Sequence, residues 1–269
     1  WQANTTNNLA KEQLIAWCIV PFDAKKRGPA ERVKMLKRLG LSRVAYDWRA
    51  QHVNEFEEEI LEYKKHGIEF FAFWSVHEEA FRLFKKHKIH PQIWQTLPNP
   101  KADVREAQVA ATAKAMLPLV ERTKKLGCKL GLYNHGGWGG EPANLVAVCK
   151  YLREHHKAKH VGIVYNLHHG HGHIADFKKS LNLMQPYLHC LNLNGMNEGA
   201  KPKILAVGKG KHEAAMIATI HKSGYTGPIG ILDHRNDTDT EVALRENLAG
   251  LRGILEQLGA KKTLESYSK

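Results

Sequence analysis

The sequence lacks the features that mark several large protein classes. No run of 18 uncharged apolar residues occurs, so no membrane-spanning helix and no membrane partner are expected. Cysteine is scarce. Four in 269 residues are too few for a disulfide scaffold, and no Cys-x-x-Cys pair exists to hold zinc or cycle as a dithiol. Cys18, Cys128, Cys149 and Cys190 lie in apolar or helical stretches and are expected as buried free thiols. The Gly-x-x-x-x-Gly-Lys phosphate loop is missing. The first apolar run ends Ile19-Val20-Pro21-Phe22, where a dinucleotide fold would carry a glycine-rich turn, so no nucleotide cofactor is expected. No linker, low-complexity stretch or short repeat divides the chain. Acidic residues are outnumbered 27 to 40, a formal charge of +13. The excess is scattered in pairs such as Lys64-Lys65, Lys124-Lys125 and Lys178-Lys179, mostly late in helical stretches. That is a solvated outer face, not a basic stripe with interleaved aromatics, and no nucleic-acid partner is expected. It still favours anionic partners through long-range steering.

What is present is an eightfold alternation. Apolar runs recur at Leu14–Val20, Arg43–Trp48, Ile68–Ser75, Gln92–Leu97, Lys129–His135, Val161–His168, Leu188–Met196 and Pro228–His234. Such short, largely uncharged runs suit strands buried on both faces. Stretches with apolar residues three and four apart lie between them. Glycines at 40, 67, 127 and 224 stop helices just before a strand. The pattern predicts an α/β fold, a single (β/α)8 TIM barrel over residues 12–258, with an N-terminal arm at 1–11, polar and loose over its first eight residues, and a C-terminal tail at 259–269. The chain opens at Trp1 rather than Met, which leaves two readings, a cleaved export signal or a trimmed chain.

In such a barrel the chemistry sits at the C-terminal strand ends. Those ends carry Asp47, Trp74, His77, Asn134, His135, Asn166, His168, His169, Asn192, Asn194 and Asp233. Asn and neutral His each donate and accept hydrogen bonds, as sugar hydroxyls do, and indole faces match a sugar's C–H face. A small-molecule carbohydrate is therefore the expected partner. His169, Asp233 and His135 are the candidate acid/base residues. Asp47, Trp74, His77, Asn134, Trp138, Asn166, His168, Asn192 and Asn194 are the candidate substrate contacts. The aromatics have a second reading as barrel plugs, and His171 and His173 as plain loop residues. Trp138, in the glycine-rich loop after strand five, reads either as a lid or as part of a turn into a helix starting near Pro142. The Gly208-Lys209-Gly210-Lys211 turn reads as a phosphate site at a helix N-terminus or as ordinary basic surface.

Three segments carry a resemblance: Leu130-Gly131-Leu132-Tyr133-Asn134-His135-Gly136-Gly137, Val161 through His169, and Gly230-Ile231-Leu232-Asp233-His234. With the strand order they resemble the xylose isomerase-like TIM-barrel superfamily, of the sugar phosphate isomerase/epimerase type, over residues 12–258. The likeness is greatest to exported bacterial members, which implies a periplasmic or secreted protein. It implies an isomerase, epimerase or keto-sugar lyase that shifts a proton beside a sugar carbonyl. It also implies one divalent metal, held by a carboxylate from strand five, an Asp from six, a His from seven and a Glu from eight. The matching positions are Tyr133, Asn166, Asn192 and Asp233, of which only Asp233 keeps a carboxylate. The family's acid/base histidine matches His169. Two alternatives follow: a carbohydrate-binding barrel without catalysis, and a metal site rebuilt from His135, His169 and Asp233. DNA-repair endonucleases share the fold, but their several metals need carboxylates that this rim does not have.

Overall fold

The computed structural model describes residues 7–268. Its strands are β1 (Ile15–Trp17), β2 (Arg43–Tyr46), β3 (Glu69–Trp74), β4 (Gln92–Thr96), β5 (Leu130–Tyr133), β6 (Val161–Asn166), β7 (Leu188–Leu193) and β8 (Ile229–Leu232). Each is parallel to its neighbours, and β1 pairs with β8 to close a barrel. The principal helices are α1 (Pro29–Leu39), α2 (Phe56–His66), α3 (Glu78–His87), α4 (Arg105–Lys125), α5 (Pro142–His156), α6 (Phe177–Met184), α7 (Glu213–Lys222) and α8 (Thr240–Gln257). All eight expected strands are present, trimmed at their ends. The fold is a single (β/α)8 TIM barrel. Gly40 and Gly67 stop α1 and α2 in the left-handed conformation, at φ 68° each. Helices α3 and α5 stop the same way on Lys88 and Lys157, both at φ 52°, where no glycine marks the end.

Two apolar layers hold the barrel. The larger lies between strands and helices. The smaller fills the lumen, with Ile15, Trp17, Trp94, Tyr133, Val164 and Leu232 among its members. Trp94 is fully buried, meets Trp17 edge-on at 4.9 Å, and donates its indole N–H to Gln92 Oε1 at 2.9 Å. Gly131 leaves it room: a Cβ there would lie 2.9 Å from Trp94 Cδ1 and 2.5 Å from Val164 Cγ2. Trp94 thus plugs the lumen. All four cysteines are buried and free.

The first and last units are stapled together. Arg27 Nη1 donates to Asp23 Oδ1 at 2.8 Å, and Arg27 Nη2 to Asp239 Oδ1 at 2.7 Å. The Thr240 amide donates to Asp23 Oδ1 at 3.2 Å. The chain ends are docked as well. Asn8 Nδ2 donates to the carbonyls of Tyr225 and Gly227, both at 2.9 Å, and Tyr267 Oη to the Leu9 carbonyl at 2.9 Å. The first six residues of the expected loose arm lie outside the described residues.

One ion pair is wholly buried outside the lumen. Arg32 of α1 is 1% exposed and Glu59 of α2 is 0% exposed. Arg32 Nη1 bonds Glu59 Oε2, and Arg32 Nη2 donates to the Arg27 carbonyl at 2.6 Å. Removing one partner strands the other charge in a dry site. Glu59→Ala is expected to lower the urea-unfolding free energy by ~3–5 kcal/mol. The paired change Arg32→Met with Glu59→Leu is expected to cost much less. Equal losses would show that packing, not the stranded charge, sets the effect.

Candidate active site at the barrel mouth

Two depressions, of about 390 and 500 Å³, lie beside the docked chain ends and residues 224–228, before β8 begins. They are on the barrel's N-terminal face, the wrong end for chemistry in this fold. At the C-terminal mouth a smaller cavity, about 170 Å³, is lined by Trp17, Cys18, Phe22, Asp47, Arg49, Trp74, Tyr133, His135, His168, His169 and His234. Its walls follow from strand alternation, which sends residues 17, 47, 74 and 133 into the lumen at the ends of their strands. Trp74 meets Tyr133 edge-on at 4.6 Å and forms a flat wall. Cys18, at φ 61°, turns the chain sharply after β1. Phe22 then packs edge-on against His234 at 3.9 Å.

Four imidazoles crowd one side of the mouth. The His168 and His169 rings are 3.6 Å apart, His135 and His169 4.5 Å, and His168 and His234 5.4 Å. Burial, then the charge each ring would impose on the others, lowers His169 to about 3. Burial lowers His234 to about 4 and also depresses His168 and His135. Near pH 7 all four are neutral and each offers one donor and one acceptor. His168 is 2% exposed, and neither of its ring nitrogens has a hydrogen-bond partner. His234 Nδ1 is unpartnered too. Across the cavity Asp47 is 2% exposed with Oδ1 unpartnered. Burial pushes its carboxyl up to about 7 against the opposing pull of Arg49. Burial and the nearby Asp47 and Asp233 push the Cys18 thiol up, so it stays protonated.

The structure brings together His135, His168, His169, Asp47 and Trp74 of the residues singled out from the sequence. The others are not among the residues that line this cavity. Asn134 braces β6: its Nδ2 donates to the Asn166 carbonyl at 3.0 Å and its Oδ1 accepts the Asn166 amide at 2.7 Å. Asn166 Nδ2 donates to Tyr133 Oη at 2.7 Å, and its Oδ1 accepts the His168 amide. Asn194 Nδ2 donates to the Lys203 carbonyl at 2.9 Å. Asn192 is buried with Oδ1 3.7 Å from Cys190 Sγ. Asp233 accepts the Thr240 hydroxyl at 2.9 Å and the Arg235 amide at 3.3 Å, away from the cavity. His77 caps α3 by accepting the Glu79 amide, and it packs on Trp48. Trp138 packs on the outer apolar layer in the turn that leads into α5 at Pro142 and does not line the mouth cavity. The Gly208–Lys211 turn is already filled: Glu213 accepts the amides of Gly210 at 2.6 Å and Met196 at 2.9 Å, leaving no phosphate cradle.

Strand parity carries part of the signal. Gly131 and Tyr133 face the lumen, so Asn134 faces outward. Gly230 and Leu232 face it, so Asp233 does not and His234 does. Parity also turns Asn166 and Asn192 inward with Val164 and Cys190, below the mouth cavity's lining. Arg49, Phe22 and Cys18 join the site through turns after strand ends, which parity does not reach.

The donor set does not fit the divalent metal implied by the resemblance. Tyr133 is held neutral by burial and bonded to Asn166. Asn166 and Asn192 are amides, poor ligands beside the expected acid and imidazole. Asp233 is turned away, and Leu232 takes the lumen position on β8. For the same reason Asp233 does not join His135 and His169 in a rebuilt site. Among the described residues no three His, Cys, Asp or Glu side chains are placed to share an ion.

No family model matches the sequence, and no curated protein does. Solved structures match in three dimensions. The IolI protein with a bound zinc atom superposes at a TM-score of 0.72 and 10% identity, covering 91% of this chain and 98% of that one. The probable 3-DHS dehydratase AsbF from Bacillus anthracis gives 0.69 at 11% identity, covering 89% and 98%. The 3-keto-D-glucoside 4-epimerase YcjR from E. coli gives 0.65 at 14% identity, covering 90% and 99%. The likeness is one of fold, a closed (β/α)8 barrel shared along nearly the whole of each chain.

Buried imidazoles and carboxyls act oppositely on stability. His168, His169, His189 and His234 are all depressed below 6.5 by burial. Their stabilisation is present above about pH 6.5 and is lost as pH falls, because unfolding lets them take up protons. Asp47 and Asp233, raised to about 7 by burial, stabilise at low pH and lose that contribution as pH rises through 7. Between pH 6.5 and 4, unfolding takes up four protons on the imidazoles and releases two from the carboxyls, so acidification destabilises. Unfolding free energy is expected to fall from pH 6.5 to pH 4.5. His169→Gln should flatten that slope by up to about 1.4 kcal/mol per pH unit. An unchanged slope would mean that His169 is not held neutral by the fold.

Proposed function

We propose that the mouth cavity binds a monosaccharide-sized carbohydrate and that the protein shifts a proton next to its carbonyl, as an isomerase, epimerase or keto-sugar lyase does. One observation carries this reading. Asp47 Oδ1, both ring nitrogens of His168 and His234 Nδ1 are buried without partners around a single cavity. Buried polar atoms are nearly always hydrogen-bonded, so these wait for a ligand rich in hydroxyls. The Trp74 face beside them suits the C–H side of a sugar ring. The epimerase named among the matching structures adds support at the level of the fold.

The chemistry is assigned to groups whose charge states suit it. Asp47, poised near neutrality, takes the proton from the carbon beside the carbonyl. The electron pair moves onto the carbonyl oxygen, where the neutral imidazole N–H groups of His169 and His135 stabilise it. For isomerisation the enolate oxygen takes the proton of the adjacent hydroxyl, that hydroxyl's oxygen becomes the new carbonyl, and Asp47 returns its proton to the former carbonyl carbon; for epimerisation a water protonates the carbon from the opposite face and the hydroxide left behind takes the proton from Asp47. His169 keeps its candidate role as a hydrogen-bonding acid; its low basicity makes Asp47 the base. Asp233 is left to hold the β8–α8 turn.

The test is solvent deuterium wash-in on a panel of aldoses, ketoses and keto-glycosides, followed by NMR. Exchange is expected with at least one sugar, and kcat/KM should rise with pH through about 7 as Asp47 ionises. Asp47→Asn should slow exchange by ~10²–10⁴-fold while the sugar still binds. Binding with no exchange anywhere would instead favour a carbohydrate-binding barrel without catalysis, a reading that draws on the missing carboxylates at Tyr133, Asn166 and Asn192.

A further inference from the structure

The arginines on the outer surface are largely neutralised. Arg38 bonds Glu241, Arg82 bonds Glu79 and Arg122 bonds Glu78. Arg49, in the mouth, is different. Its guanidinium lies 5.2 Å from the Phe22 ring centroid, its Nη1 donates to the Trp48 carbonyl at 2.7 Å, and its nearest carboxylate oxygen, Asp47 Oδ2, is 4.0 Å away. Backbone and ring hold it in place, while its other side-chain nitrogens make no hydrogen bond among the described residues. Lys203 is the second cation. Its carbonyl accepts from Asn194 Nδ2 at 2.9 Å and contacts a ring nitrogen of His171 at 3.0 Å, which pins its segment beside the mouth. Its charge opposes protonation of His135, His168, His169 and His234, after burial and their mutual repulsion. It forms no ion pair among the described residues. Against these cations the cavity lining offers one carboxyl, that of Asp47.

We infer that the mouth selects a sugar acid, a monosaccharide-sized ligand whose carboxylate meets the Arg49 fork while Lys203 supplies a second positive charge at the rim. This rests on the reading of the mouth as a carbohydrate site and adds the ligand's charge to it. A planar carboxylate matches a guanidinium in two-point contact. A phosphate fits less well. The cavity, about 170 Å³, is below the usual 300–1,000 Å³ of ligand pockets. The turn whose backbone amides suit a phosphate is occupied by Glu213.

Isothermal titration of the full chain with D-glucuronate, D-galacturonate and D-mannuronate, each beside its neutral hexose, and with D-glucose 6-phosphate tests this. At low ionic strength at least one uronate is expected to bind about tenfold or more tighter than its hexose. The ratio should shrink with added salt and collapse towards one in Arg49→Gln. Lys203→Gln should reduce it about two- to threefold, as suits a charge at the rim. Circular dichroism of both variants confirms folding, and the salt series on the unaltered protein does not depend on them. Hexose and uronate binding equally would overturn the charge inference and leave the carbohydrate site standing. Tighter binding of the phosphate than of every uronate would overturn it too, as would a ratio untouched by Arg49→Gln. No binding by any sugar would overturn both.

Discussion

Desolvation at the barrel mouth governs the rest of this protein's chemistry. Trp94, wedged against Trp17 and seated in the space left by Gly131, closes the lumen with indole instead of water. Above that floor Asp47 and His168 are buried, His169 and His234 are half-buried and His135 stands at the exposed rim, and desolvation biases each towards its uncharged form. The consequence is a site of neutral donors and acceptors with one carboxyl near its midpoint at pH 7. Water would have given four ordinary histidines and an ionised aspartate, with no group suited to carry a proton both ways.

The amides at the strand ends serve the same arrangement from outside the cavity. Asn134 closes a two-point brace on the Asn166 backbone, and Asn166 in turn orients the Tyr133 hydroxyl and the His168 amide. Asn134 and Asn166 therefore hold β5 against β6 and set the direction of the chain into the histidine turn. Asp233 does the equivalent for the β8–α8 connection through Thr240.

Much of the scaffold was legible because its signals are local. Eight apolar runs and their glycine stops place every strand. The stops before a strand that no glycine marks are those of α3, α5 and α6; at the first two, Lys88 and Lys157 adopt a backbone conformation that their side chains do not advertise. The site was legible in part. His135, His168, His169, Asp47 and Trp74 follow from the rule that barrel chemistry lies at strand ends. The same rule, applied without strand parity, also gathers Asn134 and Asp233, which do not line the mouth cavity. Arg49, Phe22 and Cys18 escape it because a turn after a strand, not the strand itself, aims them inward. Arg27 couples that first turn to Asp239, 212 positions further along, a distance over which sequence pattern is silent.

The mouth's wall beside Phe22 and His234 is made from the first and last connections of the chain, held by the Asp23–Arg27–Asp239 staple. A nascent polypeptide emerging from the ribosome owns Asp47 and the histidine turn well before it owns this wall. The wall therefore cannot form until residue 239 has been added to the growing chain.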